Sequence, residues 1–451
     1  MKYSRKDITA ASFSRCRGLL LSELFIPVAD MVTGTSISRW CRQIRKMQSW
    51  SSTQVAEWQN ERLAAFVSHA YHHTKYYHTL FDQLSIRPED IRCADDLARI
   101  PYIDKQIINA HYEELVPDNL STFRYRNDRT GGTTGQPMNY YCDEETWGYV
   151  TAAKMYYWGT TDYNYGDAFV ALGSSSLFNK KPSLKRRIYD FVRNEHPLNS
   201  VDINDEKCSH FVSYIRKRHI KFLYGYAASL YMFTQYVVEN NIDLTQIKGI
   251  FTTSENLPDN YRELMERTFN CWVMDCYGAR DAGITAYEVG RGCYQVGYNV
   301  IAEIIDKIDD NTGTLLSTNF LNYSFPLIRY QFGDVVELDI TSHPNQYNGQ
   351  IIRHIIGRTS DVIRLENGHS LSASGISVFM KEFDIVAFDF KKTAPLEVTL
   401  RIQSQTEFAP ELEQSLRDSL AVYIGDDCKV IIEYVQGFEC LPNGKHRYFY
   451  T

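Results

Sequence analysis

Across 451 residues there is no pair of cysteines at CxxC spacing, no repeated or compositionally biased tract, and no apolar run long enough to span a bilayer. Each absence removes a class of protein. The ten cysteines (Cys16, Cys41, Cys93, Cys142, Cys208, Cys271, Cys276, Cys293, Cys428 and Cys440) stand singly, which reads as thiols in a reducing cytoplasm rather than a disulfide framework. Lys and Arg number 48 against 55 Asp and Glu, a net charge of −7. Basic residues cluster only at Lys180-Lys181 and Lys185-Arg186-Arg187, which disfavours nucleic acid as a partner. The most apolar stretch, Leu19–Val32, follows basic residues as a signal peptide would, but Glu23 and Asp30 interrupt it and no small-residue cleavage site follows. It reads as an amphipathic helix lying on the protein body, compatible with no more than weak attachment to a membrane surface.

What is present is a large globular chain, long enough for one large and one small domain, with 14% aromatic residues, among them 32 tyrosines. Such residues fill cores and line pockets for flat or amphipathic ligands. Residues 53–73 carry a helical apolar stripe (Val55, Trp58, Leu63, Phe66, Val67, Ala70), and the histidines there (His69, His72, His73, His78) read as a solvated helix face, not a metal site. From Glu206 to Cys276 helix and strand alternate: helix 206–219, strand 220–224, helix 229–241, strand 249–253, helix 258–269, strand 271–276. That is a parallel βαβ arrangement. From Val300 short strands and turns (VIAEIID, GTLLSTNF, DVVELDI, IIRHIIG) predict an antiparallel or barrel-like sheet. After Gly357 a small α+β unit remains, with strands at 386–391, 396–402 and 429–435 and a helix at 410–423. The expected organisation is a helical N-terminal extension (1–48), a large domain (49–356) and a small C-terminal domain (357–451).

The sharpest local feature is RTGGTTGQP, Arg129 to Pro137, with Gly131, Gly132 and Gly135 interleaved with Thr130, Thr133 and Thr134. Glycines let successive backbone N–H groups converge, and threonine hydroxyls add donors, a pattern suited to a polyphosphate. It is not a Walker loop, since no Lys-Ser/Thr follows the last glycine. Four further segments follow in order: Tyr277-Gly278-Ala279-Arg280-Asp281 after a buried strand; Leu327 to Asp334, placing Asp334 on a turn between strands; Gly357-Arg358 with Asp361 and Gly368; and Lys445 in a polar tail. Taken singly, each reads more readily as a turn, a linker or a tail than as part of a site.

Their order and spacing resemble the adenylate-forming superfamily of acyl- and aryl-CoA ligases, adenylation domains and luciferases. Within it the chain is most similar to the phenylacetate–CoA ligase-like family and its capsular polysaccharide branch. Gly225-Tyr226 with Ser229, Thr253-Ser254-Glu255 and Asn322 to Asp334 (NYSFPLIRYQFGD) add to the likeness, which runs from about Trp50 to the end. The resemblance implies activation of a carboxylic acid as its acyl-AMP and transfer of the acyl group to CoA, to an amine or hydroxyl of a sugar, or to a carrier protein. It implies ATP and Mg²⁺ as cofactors, a mobile C-terminal domain and a homodimer as in many relatives. It assigns Thr130 to Gly135 to the β- and γ-phosphates. Ser254, Glu255, Tyr277 and Gly278 fall to the nucleotide pocket, Asp334 to the ribose, and Arg358 to the nucleotide from the hinge side. Asp281 stands near the α-phosphate and Mg²⁺, Lys445 bridges the attacking carboxylate and the α-phosphate, and Tyr226, Ser229 and Phe251 fall to the acid pocket. The chain departs from the pattern at Gln136 (commonly lysine), Asp281 (commonly glutamate) and Ser360 (often aspartate). It also lacks the Cys/His set of relatives that bind structural zinc. These departures leave a second expectation, a non-catalytic nucleotide-binding partner in a polysaccharide assembly.

Overall fold

Helices open the described part of the chain and pack against the later sheet. In the computed structural model, which describes residues 18, 20–129, 138–173, 193–199, 204–339, 347–358, 362–367, 370–372, 383, 385, 387–404, 408–438 and 449–450, a π-helical turn (Leu21–Phe25) leads into α1 (Ile26–Thr33). The Asp30 carboxylate then accepts hydrogen bonds from the Ile37 and Ser38 amides, capping α2 (Ile37–Met47). Leu21 and Ile26 turn inward as the amphipathic pattern predicts, whereas Leu20, Leu24, Phe25, Val28 and Met31 face outward and exposed. Among the described residues no helix is long and apolar enough to cross a membrane.

The i, i+4, i+7 set Trp40, Ile44 and Met47 of α2 is buried in the main core, with Trp40 edge-on to Tyr149 at 5.1 Å. Much later in the chain, the Asn348 amide donates to the carbonyls of Met47 and Trp50 and locks this corner. A reciprocal Ser51–Gln54 capping box starts α3 (Ser52–His73), which continues into α4 (Lys75–Leu84) and the short α5 (Lys105–Ala110) and α6 (Tyr112–Leu115). A hairpin of β1 (Tyr125–Arg129) and β2 (Asn139–Asp143) then gives way to α7 (Glu144–Gly159).

The middle strands are β3 (Phe169–Gly173), β4 (Glu195–Asn199), β5 (Phe222–Tyr226), β6 (Gly249–Thr253) and β7 (Trp272–Ala279), all parallel. Their crossovers include α8 (Asp205–Arg218), α9 (Ala227–Glu239) and α10 (Asp259–Phe269). Period-two alternation sorts the side chains. Phe169, Phe222, Phe251 and Met274 join the α7 side, while Val170, Leu223, Ile250 and Val273 join a separate aliphatic core with α8, α9 and α10. The parallel alternation read from the sequence is present, with β5 displaced two residues from its expected bounds.

After β7 the direction reverses. β8 (Ile284–Gly290), β9 (Cys293–Val296), β10 (Val300–Ile305), β11 (Thr312–Asn319), β12 (Tyr330–Asp339) and β13 (Ile351–Arg358) are antiparallel. They do not form a sheet of their own. All eleven strands belong to one mixed sheet in the order β10-β11-β12-β13-β9-β8-β7-β6-β5-β3-β4. Beyond it, β14 (Val362–Arg364) pairs with β15 (Ser370–Ser372). β16 (Ala387–Ala394), β17 (Glu397–Gln403), α11 (Pro410–Ile424), β18 (Lys429–Tyr434) and β19 (Phe449–Tyr450) build a four-stranded sheet covered by Leu416, Leu420 and Ile424, with its own core.

Candidate active site

Three parallel strands end side by side, and each delivers a segment singled out in the sequence. β5 closes with Gly225-Tyr226, and α9 begins at once with Ala227. A Cβ at Gly225 would come within 2.3 Å of the Leu172 carbonyl on β3, so the close approach of the two strands requires glycine there. β6 closes at Thr253, and Ser254 adopts a left-handed conformation (φ 67°) that turns Glu255 back toward α9. There the Glu255 carboxylate accepts the Ala228 amide at 3.1 Å, satisfying a donor of the first helical turn. Ser229, expected in the acid pocket, lies on that same turn and is nearly buried.

The third segment lies at the end of β7. The Tyr277 hydroxyl donates to Asp334 Oδ2 at 2.7 Å, and the Tyr330 hydroxyl donates to Asp281 Oδ2 at 2.8 Å. These bonds join the end of β7 to β12, although four strand spacings, about 19 Å in a flat sheet, separate them in the strand order. The antiparallel half must therefore curl back over the parallel strand ends, and a trough lies between the two halves of this open sheet. Asp334 was expected on a turn. It lies instead inside β12, opposite Arg358 of β13, where Gly333 (φ 93°) and a register shift bend the strand and hold the nearly buried carboxylate toward the trough.

Gly278 sits between these groups on exposed backbone. A Cβ there would meet nothing nearer than the Ile284 carbonyl at 3.4 Å, so packing within the protein does not demand glycine at this position. Arg280 pairs with Asp128 at 2.8 Å and lies 5.5 Å over the Trp147 ring. Asp128 precedes the paired ends Arg129 and Asn139, which bracket the glycine–threonine loop, so this ion pair ties the loop's base to the end of β7. Thr130 to Gly135, Gln136, Ser360, Asp361, Gly368 and Lys445 lie outside the described residues, and Arg358 is described in its backbone only.

Phe251 does not belong to the trough. It is fully buried and stacked on Trp158, with ring centroids 3.9 Å apart and planes 3° from parallel, because strand parity points it at α7 well below the strand end. Tyr226 remains half-buried at the end of β5. The Asn322-Tyr323-Ser324 part of the sequence marker is scaffold: the Asp143 carboxylate accepts the Tyr323 amide at 2.6 Å and the Ser324 amide at 3.2 Å, and Asn322 accepts the Asp143 amide. Burial pushes Asp143 up to about 6. A surface cleft of about 310 Å³ lined by Gly34, Phe123, Arg124, Asp143, Glu144 and Tyr323 shares no residue with the trough. Of the histidines, His69 is not simply solvated, since Nε2 lies 3.0 Å from the Tyr323 carbonyl; among the described residues no three metal-capable side chains come together.

Sequence reasoning missed Tyr330, Asp128 and Lys154. Lys154 lies on α7, its ammonium 4.1 Å from the Trp158 ring centroid and 3.9 Å from that of Tyr224. The spacing Lys154–Trp158, one helical turn, was the available signal. Burial, then the nearby Arg193, pulls its pKa down to about 7.

No protein-family model matches the chain. It is similar to Protein CapK of Staphylococcus aureus, 24% identical over 405 residues that cover 87% of this chain and 88% of that one. It is also similar to phenylacetate-coenzyme A ligase of Pseudomonas putida, 21% identical over 425 residues that cover 86% and 90%. Among solved structures, 2-hydroxyisobutyryl-CoA ligase in its postadenylation state superposes with a TM-score of 0.70 at 15% identity, over 90% of this chain and 91% of that one. The same ligase in its thioesterification state gives 0.58. The fold is that of the adenylate-forming CoA ligases, in agreement with the resemblance read from the motifs.

Proposed function

We propose that this chain, a relative of CapK and of the phenylacetate–coenzyme A ligases, is an adenylate-forming ligase that activates a carboxylic acid with ATP and hands the acyl group to an acceptor. The observation that carries this reading is the trough itself: two carboxylates, each held by a tyrosine hydroxyl, Asp281 just past the carboxyl end of parallel strand β7, where α/β sheets place ligands, and Asp334 brought beside it by β12.

In the reaction a carboxylate oxygen of the acid bonds to the α-phosphorus of ATP, and the bond from that phosphorus to the bridging oxygen breaks, releasing pyrophosphate. Asp334, fixed by Tyr277, accepts hydrogen bonds from the ribose hydroxyls. Gly278 lets the nucleotide approach the backbone between the two carboxylates. The Arg280–Asp128 pair keeps the glycine–threonine loop beside the triphosphate. Tyr330 orients Asp281 by one oxygen, which leaves a hard carboxylate oxygen of the kind Mg²⁺ takes. That ion, when bound, offsets charge on the phosphates. Lys445, delivered by the small C-terminal domain (357–451), bridges the two anions at the moment of attack and then withdraws to admit the acceptor.

CoA thiol is one acceptor consistent with the relatives. An amine or hydroxyl of a sugar, or a carrier, in surface polysaccharide synthesis is the alternative that the motif resemblance implies. Carboxylate-dependent ATP–pyrophosphate exchange tests the activation step. Exchange with one class of acid, lost in Lys445→Ala and reduced at least tenfold in Asp334→Asn, is the expected result. ATP binding without exchange for any acid would make the chain a nucleotide-binding partner instead. Adding CoA to the preformed adenylate then separates thioester formation from transfer to another acceptor.

A further inference from the structure

Below the strand ends the aromatic side of the sheet is not sealed. Along β5 the residues facing α7 pass from fully buried Phe222 to half-buried Tyr224 and Tyr226, and along β6 from fully buried Phe251 to half-buried Thr253. Exposure therefore rises along both strands toward their carboxyl ends, and Tyr224 is the deepest of these side chains that remains partly exposed. At that depth stands Lys154, partly exposed, its ammonium against the rings of Tyr224 (3.9 Å), Trp158 (4.1 Å) and Phe169 (5.9 Å).

Aromatic faces attract an ammonium but accept none of its three N–H groups in a full hydrogen bond. Among the described residues no hydrogen bond or ion pair reaches Lys154. The other charged groups beside it among the described residues, Arg193 and Glu195, pair with each other at 2.9 Å. Among the described residues no carboxylate pairs directly with the Lys154 ammonium, which stands at the depth where the aromatic face becomes partly exposed. A desolvated cation in that position is costly unless an anion completes it.

We propose that Lys154 is the floor of the acid pocket and that the acid activated here carries a second anionic group, a carboxylate at the end remote from the reacting one. The inference rests on the adenylation reading above for the identity of the pocket. The aromatic walls suit an alkyl or aryl spacer between the two carboxylates, and Lys154 sets the required end group.

The test is pyrophosphate exchange with matched acids (butyrate and succinate, pentanoate and glutarate, hexanoate and adipate, 4-methylbenzoate and terephthalate) on the full-length protein and its Lys154→Met and Lys154→Arg variants. At the fitting length the wild type should favour the diacid by about a hundredfold in kcat/KM, the scale of losing one partner of a desolvated charge pair. Lys154→Met should lose that preference and Lys154→Arg keep most of it, with ATP affinity alike in all three. A wild type that favours the monoacids, or a preference unchanged in Lys154→Met, overturns the proposal. Quenching of tryptophan fluorescence, reported by Trp158, is followed with the same acids without turnover. Quenching by a diacid in the wild type but not in Lys154→Met, with exchange absent for every acid, keeps the anion site and removes the adenylation reading. Absence of both exchange and diacid quenching removes the anion site as well.

Discussion

The two faces of the parallel strands treat buried charge in opposite ways. On the aliphatic face, under α10, Arg262 donates to the Val273 carbonyl at 2.6 Å and to both oxygens of Glu288 at 2.9 and 3.0 Å. Glu288 also accepts the Asp275 and Gly292 amides, and Asp275 accepts the hydroxyls of Thr252 and Tyr294. Burial still pushes Asp275 upward, but each of these charges meets its complement. On the aromatic face, under α7, the Lys154 ammonium lies against rings, with no hydrogen bond or ion pair to it among the described residues. Completed charge networks serve the scaffold. An incomplete one where the face becomes partly exposed marks where the fold gives up stability for binding.

Four substitutions test that contrast. Glu288→Ala strands Arg262 in the core and should lower unfolding free energy by about 3–5 kcal/mol in urea titration. A loss below about 1 kcal/mol would mean that the network is not essential to the scaffold. Lys154→Met should act the other way, adding a few kcal/mol below pH 7. Because burial lowers the Lys154 pKa from 10.5 to about 7, the unfolded chain binds more protons between these values, and wild-type stability rises with pH across that window. The advantage of the methionine variant should therefore fade between pH 7 and pH 10.5. An advantage independent of pH would show that charge is not its source. Tyr330→Phe removes one hydrogen bond to a carboxylate and should cost about 1 kcal/mol in stability while slowing exchange roughly tenfold. Unchanged exchange would detach Asp281 from the chemistry. Asp128→Asn breaks a pair whose arginine is well exposed, so its stability change should stay within about 0.5 kcal/mol, and the KM for ATP should rise a few-fold.

Much of this was legible in the sequence. The FLYGY, GIFTT and WVMDC segments are short, mainly apolar runs, and their helices follow at the spacing a parallel sheet needs, so the βαβ half of the sheet is foreshadowed. Tyr277 and Asp334 stood out through their order along the chain, and the structure brings them into contact. Tyr330 did not, because its role exists only once the antiparallel strands curl over the parallel ends and carry it to Asp281. Phe251 was misread because an aromatic one turn of strand below a binding edge looks like one that lines it; strand parity and the Trp158 stack decide otherwise. Lys154 hides for the same reason, since a lysine on a helix looks solvated until the sheet beneath is placed.

The corner closed by Asn348 also bears on how the protein is made. Trp40, Ile44 and Met47 leave the ribosome early, but Asn348, which locks Met47, lies 301 residues later. At about 5–20 residues per second, the apolar edge of α2 goes without that clasp for roughly 15–60 s of synthesis. Nascent chains halted before residue 348 should therefore be held by chaperones or aggregate, while those long enough to add β13 as well close both the corner and the sheet.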